Sequence, residues 1–312
     1  MMLANRLIKR FKIMRKWAAQ NNITCFRLYD KDIPEYPVLI DWYAGQAVVW
    51  IYHRKKDDTE KKQQLFTLDC IDQIKAGLDL KEQDIILKKQ ARQRGSQNDD
   101  SKKIVEKSRI IDEQGLKFEV DLYNYLDTGL FLDHRNTRNM VRTKARDKDF
   151  LNLYAYTGSF TCYAAAGEAR STVTVDLSNT YSKWAVRNMA INGFEVSTRH
   201  RIVTSDCFKF LKESVLKGKK YDLIVCDPPS FSNSKKIDYT FILDRDYVEL
   251  LNLVLKLLKP EGELFFSTNF RNFNLDETRF PSQYRIADIS ERTVPFDFRN
   301  KKIHQCWIIS EK

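Results

Sequence analysis

The spacing of apolar positions changes character along the chain. In residues 1–20, "MMLANRLIKRFKIMRKWAAQ", Leu3, Leu7, Phe11, Met14 and Ala18 recur at helical spacing and predict an amphipathic helix. Its polar face carries six basic residues and no acid. Such a face suits RNA phosphate, an anionic membrane, or simple solvation on a helix packed against the body. Residues 21–90 mix short β-rich runs such as "QAVVWIYH" with a helical pattern near 62–77. The stretch 88–107, "KKQARQRGSQNDDSKKIVEK", is charged and poor in apolar residues, and predicts a mobile basic loop. "SRIIDEQGLKFEVDLYNYL" alternates around Gly115, the pattern of a β-hairpin. Residues 21–120 thus predict a small α+β accessory domain.

From about residue 121 apolar strands alternate with helical patterns. "DFLNLYAY" precedes "SFTCYAAAGEA", "STVTVDL" precedes "NTYSKWAVRNMAINGF", and "HRIVTS" precedes "CFKFLKESVL". "YDLIVCD" precedes a helix expected over roughly 238–259, and "GELFFSTNF" follows. Repeated strand-then-helix units predict a Rossmann-like α/β domain over 121–312, a doubly wound, mainly parallel sheet with helices on both faces. Ligands on such sheets bind at the carboxyl ends of the strands.

Those ends carry the chemistry. The first strand ends in "YAYTGSF", where Gly158 permits a tight turn into a helix whose N-terminal N–H groups are free. Asp176, 18 residues past Gly158, ends the second strand, where an acid accepts ribose hydroxyls. Asp206 follows the third strand; it is placed to receive an adenine amino group beside the Cys207 N–H, or to cap a helix. The fourth strand ends in "DPPSFSNSKK". Two prolines cannot extend a strand or a helix interior, so Asp227, Pro228 and Pro229 form a stiff polar corner. Phe231 is placed to stack on a base swung out of its helix, or to pack in the core. Lys235 and Lys236 are placed to hold phosphate, or are solvated. A nicotinamide enzyme has no use for the Asp-Pro-Pro corner, its phosphate loop needs more glycines than "YAYTGSF" supplies, and no Gly-Lys-Ser/Thr phosphate loop occurs.

Composition narrows the partners. The 312 residues include 53 Lys and Arg against 42 Asp and Glu, a net charge of +11. That excess favours a polyanion, most often nucleic acid. The six cysteines are scattered with no CxxC pair, so neither a zinc site nor a disulfide framework is signalled. No metal is expected, and reduced thiols suggest a cytoplasmic location. No apolar run reaches the length of a membrane span and no signal peptide is visible.

"YLDTGLFLDHRNTR", "DFLNLYAYTGS", "GEARSTVTVDLSNTYSKWAVRNMAINGF", "DPPSFSNSKK" and "RNKKIHQCWII", with "CFRLYDKDIPEYPVLIDWY" nearer the N-terminus, are similar to the RlmK-type guanine-N7 methyltransferases of 23S ribosomal RNA. The resemblance covers nearly the whole chain. These are class I S-adenosylmethionine-dependent enzymes that often form the C-terminal half of a fusion. The resemblance implies a seven-stranded methyltransferase sheet, S-adenosyl-L-methionine as cofactor and S-adenosyl-L-homocysteine as product. Tyr156, Thr157 and Gly158 would line the methionine end, Asp176 the ribose, and Asp206 with Cys207 the adenine. Thr128, Gly129, Leu130, Asp133 and Arg135 would close the cofactor pocket, with Asn152, Ser159 and Leu177 also in its wall. Asp227, Pro228, Pro229 and Phe231 would form the catalytic corner. The expected partner is 23S rRNA or a large-subunit precursor particle, met by a monomer. A separate guanine-N2 methyltransferase half with a THUMP domain is a further possible partner, and no membrane is expected.

The rival enzyme reading is an RNA cytosine-C5 methyltransferase, which needs a cysteine nucleophile; Cys226 and Cys306 are the candidates. The rival of another class is a non-catalytic RNA-binding assembly factor, which the intact strand-end acids oppose.

Overall fold

The structure is a computed structural model that describes residues 2–52, 59–88, 108–234 and 236–312. It divides into two compact units, Met1–Leu132 with Phe296–Arg299, and Asp133–Pro295 with Asn300–Lys312. Most of the basic stretch 88–107, and Lys235, lie outside the described residues.

In the first unit, α1 (Met2–Gln20) precedes β1 (Cys25–Asp30), β2 (Val38–Tyr43), β3 (Gln46–Ile51), α2 (Glu60–Leu78), β4 (Ile85–Lys88), β5 (Ser108–Glu113) and β6 (Leu116–Asp121). The order β1-β2-β3-β4 makes a sheet, antiparallel except for β3 and β4, and β5 with β6 forms the expected hairpin. The apolar stripe of α1 buries Leu3, Leu7, Met14 and Ala18, while Phe11 is half-buried against Trp42. Gly77 in α2 lets the helices approach, since a Cβ there would lie 3.0 Å from the Ala4 backbone. Gln73 Oε1 then accepts from the N–H groups of Leu3 and Ala4, satisfying donors that the first turn of α1 leaves open. Of the six basic residues, Arg6 pairs with Asp32 and Arg10 donates to Leu28 O. Lys9, Lys12, Arg15 and Lys16 are exposed.

In the second unit, α3 (Arg135–Lys144), β7 (Asp149–Leu153), α4 (Ser159–Ala166), β8 (Ser171–Asp176), α5 (Asn179–Ile191), β9 (His200–Thr204), α6 (Cys207–Leu216) and β10 (Tyr221–Cys226) follow in turn. Then come β11 (Phe231–Ser232), β12 (Phe241–Ile242), α7 (Leu243–Leu255), β13 (Leu258–Thr268), β14 (Tyr284–Asp288), α8 (Ser290–Thr293) and β15 (Gln305–Glu311). The seven-stranded sheet has the order β14-β15-β13-β10-β7-β8-β9, and β15 alone runs against its neighbours. Alternate residues feed opposite faces. Phe150, Leu223 and Val225 enter the core under α3 and α4, while Leu151, Ile224 and Cys226 enter the one that holds Phe208, Tyr247 and Leu250. Both faces being apolar, helices cover both.

The helix expected over 238–259 is shorter. Phe231 and Ser232 pair with Ile242 and Phe241, so α7 starts only at Leu243. β13 starts earlier than expected, at Leu258, through a bulge marked by the register shift opposite Tyr221 and Leu223 and by Glu261 at φ +60°.

Candidate methyl-transfer site at the strand ends

The strand order reverses at β7, which has β8 on one side and β10 on the other. That reversal opens a crevice at the carboxyl ends of the strands. The turn leaving β7 is tight: Tyr154, Tyr156 and Gly158 have φ of +53°, +51° and +74°. Two of these are not glycine, a strain of the kind that collects at functional sites. Gly158 is required twice over, because a Cβ would also come within 2.8 Å of Ala185 Cβ.

The turn is held by groups from the next strands. Tyr156 N–H donates to Asp176 Oδ2 and Ser178 N–H to Asp176 Oδ1, both at 2.8 Å. Asn188 Nδ2 donates to Thr157 O (2.9 Å), and Tyr154 N–H donates to Cys207 Sγ (3.4 Å). Burial pushes the Asp176 carboxyl up, against the pull of its two N–H donors and of Lys236. Each of its oxygens takes one backbone N–H, and a carboxylate oxygen has room for another donor. A vicinal diol such as ribose fits that remainder.

Asp206 caps α6, accepting from Lys209 N–H (2.9 Å) through Oδ1, and its Oδ2 accepts from Tyr239 Oη (2.7 Å). Tyr239 was not foreseen; burial raises its phenol. Asn152 is buried beneath the turn, donating to Thr161 Oγ1 (3.0 Å), so it braces the crevice floor. Ser159 opens α4, where first-turn N–H groups are free. Lys236 Nζ donates to Leu177 O (3.2 Å), which brings it to the Asp176 side. A lysine that the sequence places to hold phosphate, or leaves solvated, is thus bonded beside the end of β8. Thr128, Gly129 and Leu130 belong to the first unit, where Thr128 Oγ1 bonds Tyr43 Oη (2.9 Å).

At the end of β10, Asp227 Oδ1 accepts from Ser267 Oγ (2.6 Å) and Oδ2 lies 3.6 Å from His134 Nε2. Pro228 is buried and Pro229 exposed. Ser230 Oγ donates to Asn269 Oδ1 (3.0 Å), which ties the corner to the end of β13. Phe231 is 56% exposed and therefore not a core residue.

Beside Asp227 lies a buried imidazole pair. His134 and His304 stack with centroids 4.5 Å apart and planes within 9°. His304 Nδ1 meets Asp133 Oδ2 and its Nε2 meets Thr293 Oγ1, each at 2.9 Å. Burial lowers the His134 pKa, so the ring is held neutral. Arg135, at the start of α3, is buried. Asp133, His134 and His304 bring ligand-capable atoms within 4.8 Å of one another. The stack and the Asp133 hydrogen bond account for that proximity, because rings in parallel planes do not aim in-plane lone pairs at one ion.

Ser267, His134 and His304 were missed as functional residues. The signals were present: "FFST" ends the fifth strand, and two of the chain's four histidines fall in the "LDHR" and "KIHQCW" stretches.

The chain matches the family model for S-adenosylmethionine-dependent methyltransferases over residues 30–281. It is 45% identical over 309 residues to ribosomal RNA large subunit methyltransferase K of Neisseria meningitidis serogroup B, covering 99% of this chain and 87% of that protein. It is 44% identical to ribosomal RNA large subunit methyltransferase K/L of Vibrio cholerae over 99% of this chain, but spans only 43% of that longer protein. Among solved structures, a SAM-dependent methyltransferase from Streptococcus mutans superposes with a TM-score of 0.79 at 22% identity, over 99% of this chain and 80% of that one. A methyltransferase complexed with SAH superposes at 0.75 and 23% identity, with the same coverages. At such identities these two show the fold. With the sheet order, the strained turn and Asp176 held by two backbone N–H groups, the matches are decisive: the chain belongs to the S-adenosylmethionine-dependent methyltransferase family and uses S-adenosylmethionine as its cofactor.

Proposed function

We propose that the protein methylates N7 of a guanine in the large-subunit ribosomal RNA, in the cytoplasm, on a base swung out of its helix. The observation that carries this reading is the Asp227 corner: a carboxylate fixed by Ser267 and facing His134, with exposed Phe231 four residues on. The names of the relatives, which act on large-subunit rRNA, supply the substrate class.

S-adenosylmethionine supplies a sulfonium methyl group, an electrophile open to in-line displacement. Guanine N7 has an in-plane lone pair and no proton, so the new N–C bond forms as the C–S bond breaks and no general base is required. The C–S electron pair stays on sulfur, giving S-adenosylhomocysteine, and the positive charge passes to the base. The chain's work is placement. Asp176, Asp206 and the turn at Tyr156–Gly158 orient the cofactor, while Asp227 and Phe231 orient the base. Well-oriented reactants gain about 7–11 kcal/mol this way.

The cytosine-C5 reading needs an ionised thiol, and burial works against it. All six cysteines are buried, and burial holds the Cys226, Cys207 and Cys306 thiols well above their usual range. Digestion of large-subunit rRNA treated with the protein and labelled S-adenosylmethionine tests the proposal. N7-methylguanosine is the expected product; 5-methylcytidine would return the rival, and no labelled nucleoside would return the assembly factor.

A further inference from the structure

Ser267 already fixes Asp227 Oδ1, and that leaves a question about His134. Its Nε2 lies 3.6 Å from Asp227 Oδ2, inside ion-pair range but beyond hydrogen-bond length. Its Nδ1 is buried and makes no hydrogen bond among the described residues. The ring is 4% exposed, wedged between His304 and the edge of Phe160 (centroids 5.8 Å apart). The groups facing it are Asp227, His304, Asp133 and Arg138, and burial outweighs the two acids to keep it neutral. A carboxylate opposite Nε2 favours the tautomer with the proton there, since the negative charge attracts the N–H. A donor and an acceptor thus stand side by side at the strand end, too far apart to satisfy one another.

We propose that His134 is a specificity-determining residue that reads the target base together with Asp227, Nε2–H donating to guanine O6 and Oδ2 accepting guanine N1–H. This rests on the guanine reading above. O6 and N1–H are adjacent on the Watson–Crick edge, acceptor beside donor. Adenine presents the reverse order, an amino donor beside the N1 acceptor, so it would set donor against donor and acceptor against acceptor. Cytosine fails in the same way. Uracil shares the guanine pattern but has no N7 to methylate. The His304 ring, held at both nitrogens by Asp133 and Thr293, backs the His134 plane and fixes its angle. A buried donor that meets no acceptor costs free energy, so this pair penalises wrong bases as well as rewarding the right one.

The test uses large-subunit rRNA ligated around a synthetic segment that carries guanine, inosine or 2-aminopurine at the mapped position. Inosine keeps O6 and N1–H; 2-aminopurine lacks both and keeps N7. The wild type is expected to methylate the first two and to lose about 10- to 100-fold in kcat/KM on the third. His134→Phe removes the donor but keeps a flat ring. It should lose a similar factor on guanine RNA, lose nothing more on 2-aminopurine RNA, and bind S-adenosylhomocysteine as the wild type does. His134→Gln, which restores an amide N–H, should recover part of the loss. Equal wild-type rates on all three RNAs would overturn the inference without recourse to any variant, as would an equal His134→Phe penalty on guanine and 2-aminopurine. A wild-type digest with no N7-methylguanosine fails the guanine reading itself, and this inference with it. N7-methylguanosine formed on native RNA, with N7 methylation equally fast on the O6-bearing and O6-lacking bases, fails the inference alone.

Discussion

The two halves of the crevice are built differently. On the β7–β8–β9 side, main-chain groups do most of the holding: Tyr156 and Ser178 N–H groups clamp Asp176, Lys209 N–H takes Asp206 opposite the Tyr239 hydroxyl, and Tyr154 N–H meets Cys207 Sγ. On the β10–β13 side, side chains hold side chains: Ser267 on Asp227, His134 facing Asp227, and His304 on Asp133. The first half tolerates variation of sequence so long as backbone geometry and an acid persist. The second depends on the identity of four or five side chains. A pocket for one invariant cofactor suits the first construction, and selection among bases suits the second.

The sharpest break in this comparison is a pair of substitutions with crossed outcomes. Asp176→Ala removes the acceptor of two N–H groups and, on the proposed assignment, of the ribose diol. Hydrogen bonds to a charged group are worth about 1.5–3 kcal/mol, so S-adenosylhomocysteine affinity should fall roughly 10- to 150-fold by calorimetry. Asp227→Ala should leave that affinity nearly untouched and remove most turnover on rRNA. If both variants weaken the cofactor alike, the halves are one cooperative site and the division fails.

The same contrast explains what the sequence made readable. Asp176, Asp206 and Asp227 each end an apolar run, so their places follow from local pattern, and the parallel sheet follows from repeated strand-then-helix units. The β10–β13 side joins residues 134, 227, 267 and 304, with Asp133, assigned to the cofactor pocket by resemblance, bonded to His304; these positions share no periodicity. Nothing local says that His304, in a strand-like run near the C-terminus, stacks on a histidine 170 positions earlier. Boundaries erred where tertiary pairing overrode propensity: residues 231–232 pair with 241–242, which delays α7, and the bulge around Glu261 extends β13. Thr128, which the resemblance assigns to the closing of the cofactor pocket, bonds Tyr43 through its hydroxyl within the first unit, a contact that no local pattern announces.

A smaller effect is expected at Phe231. Its exposure means that truncation removes no core packing, so Phe231→Ala should melt with the wild type. If the ring stacks on the base, RNA binding should weaken by about 1–3 kcal/mol with the salt dependence unchanged, because no charge is lost. Filter binding across a salt series separates these. Unchanged affinity and turnover would remove Phe231 from the target side.

The smallest expected effect tests where the border between the halves runs. Lys236 belongs by sequence to the Asp-Pro-Pro segment, and a lysine that only held RNA phosphate would leave the cofactor alone when neutralised. Its Nζ instead donates to Leu177 O, and its charge draws the Asp176 carboxyl downward. Lys236→Gln should therefore act on both sides at once. On the cofactor side it removes a partly screened charge near Asp176, an interaction of the surface class worth up to about 1 kcal/mol, so S-adenosylhomocysteine affinity should fall no more than roughly fivefold. That loss should shrink as salt is raised, since screening already weakens the pair in the wild type. On the RNA side, any phosphate contact removed should flatten the slope of log affinity against log salt by about 0.7–0.9. Calorimetry and filter binding at two salt concentrations read both effects from one variant. A flattened slope with cofactor affinity unchanged at low salt would return Lys236 wholly to the target side, and would show that its bond to Leu177 O does not couple the two halves.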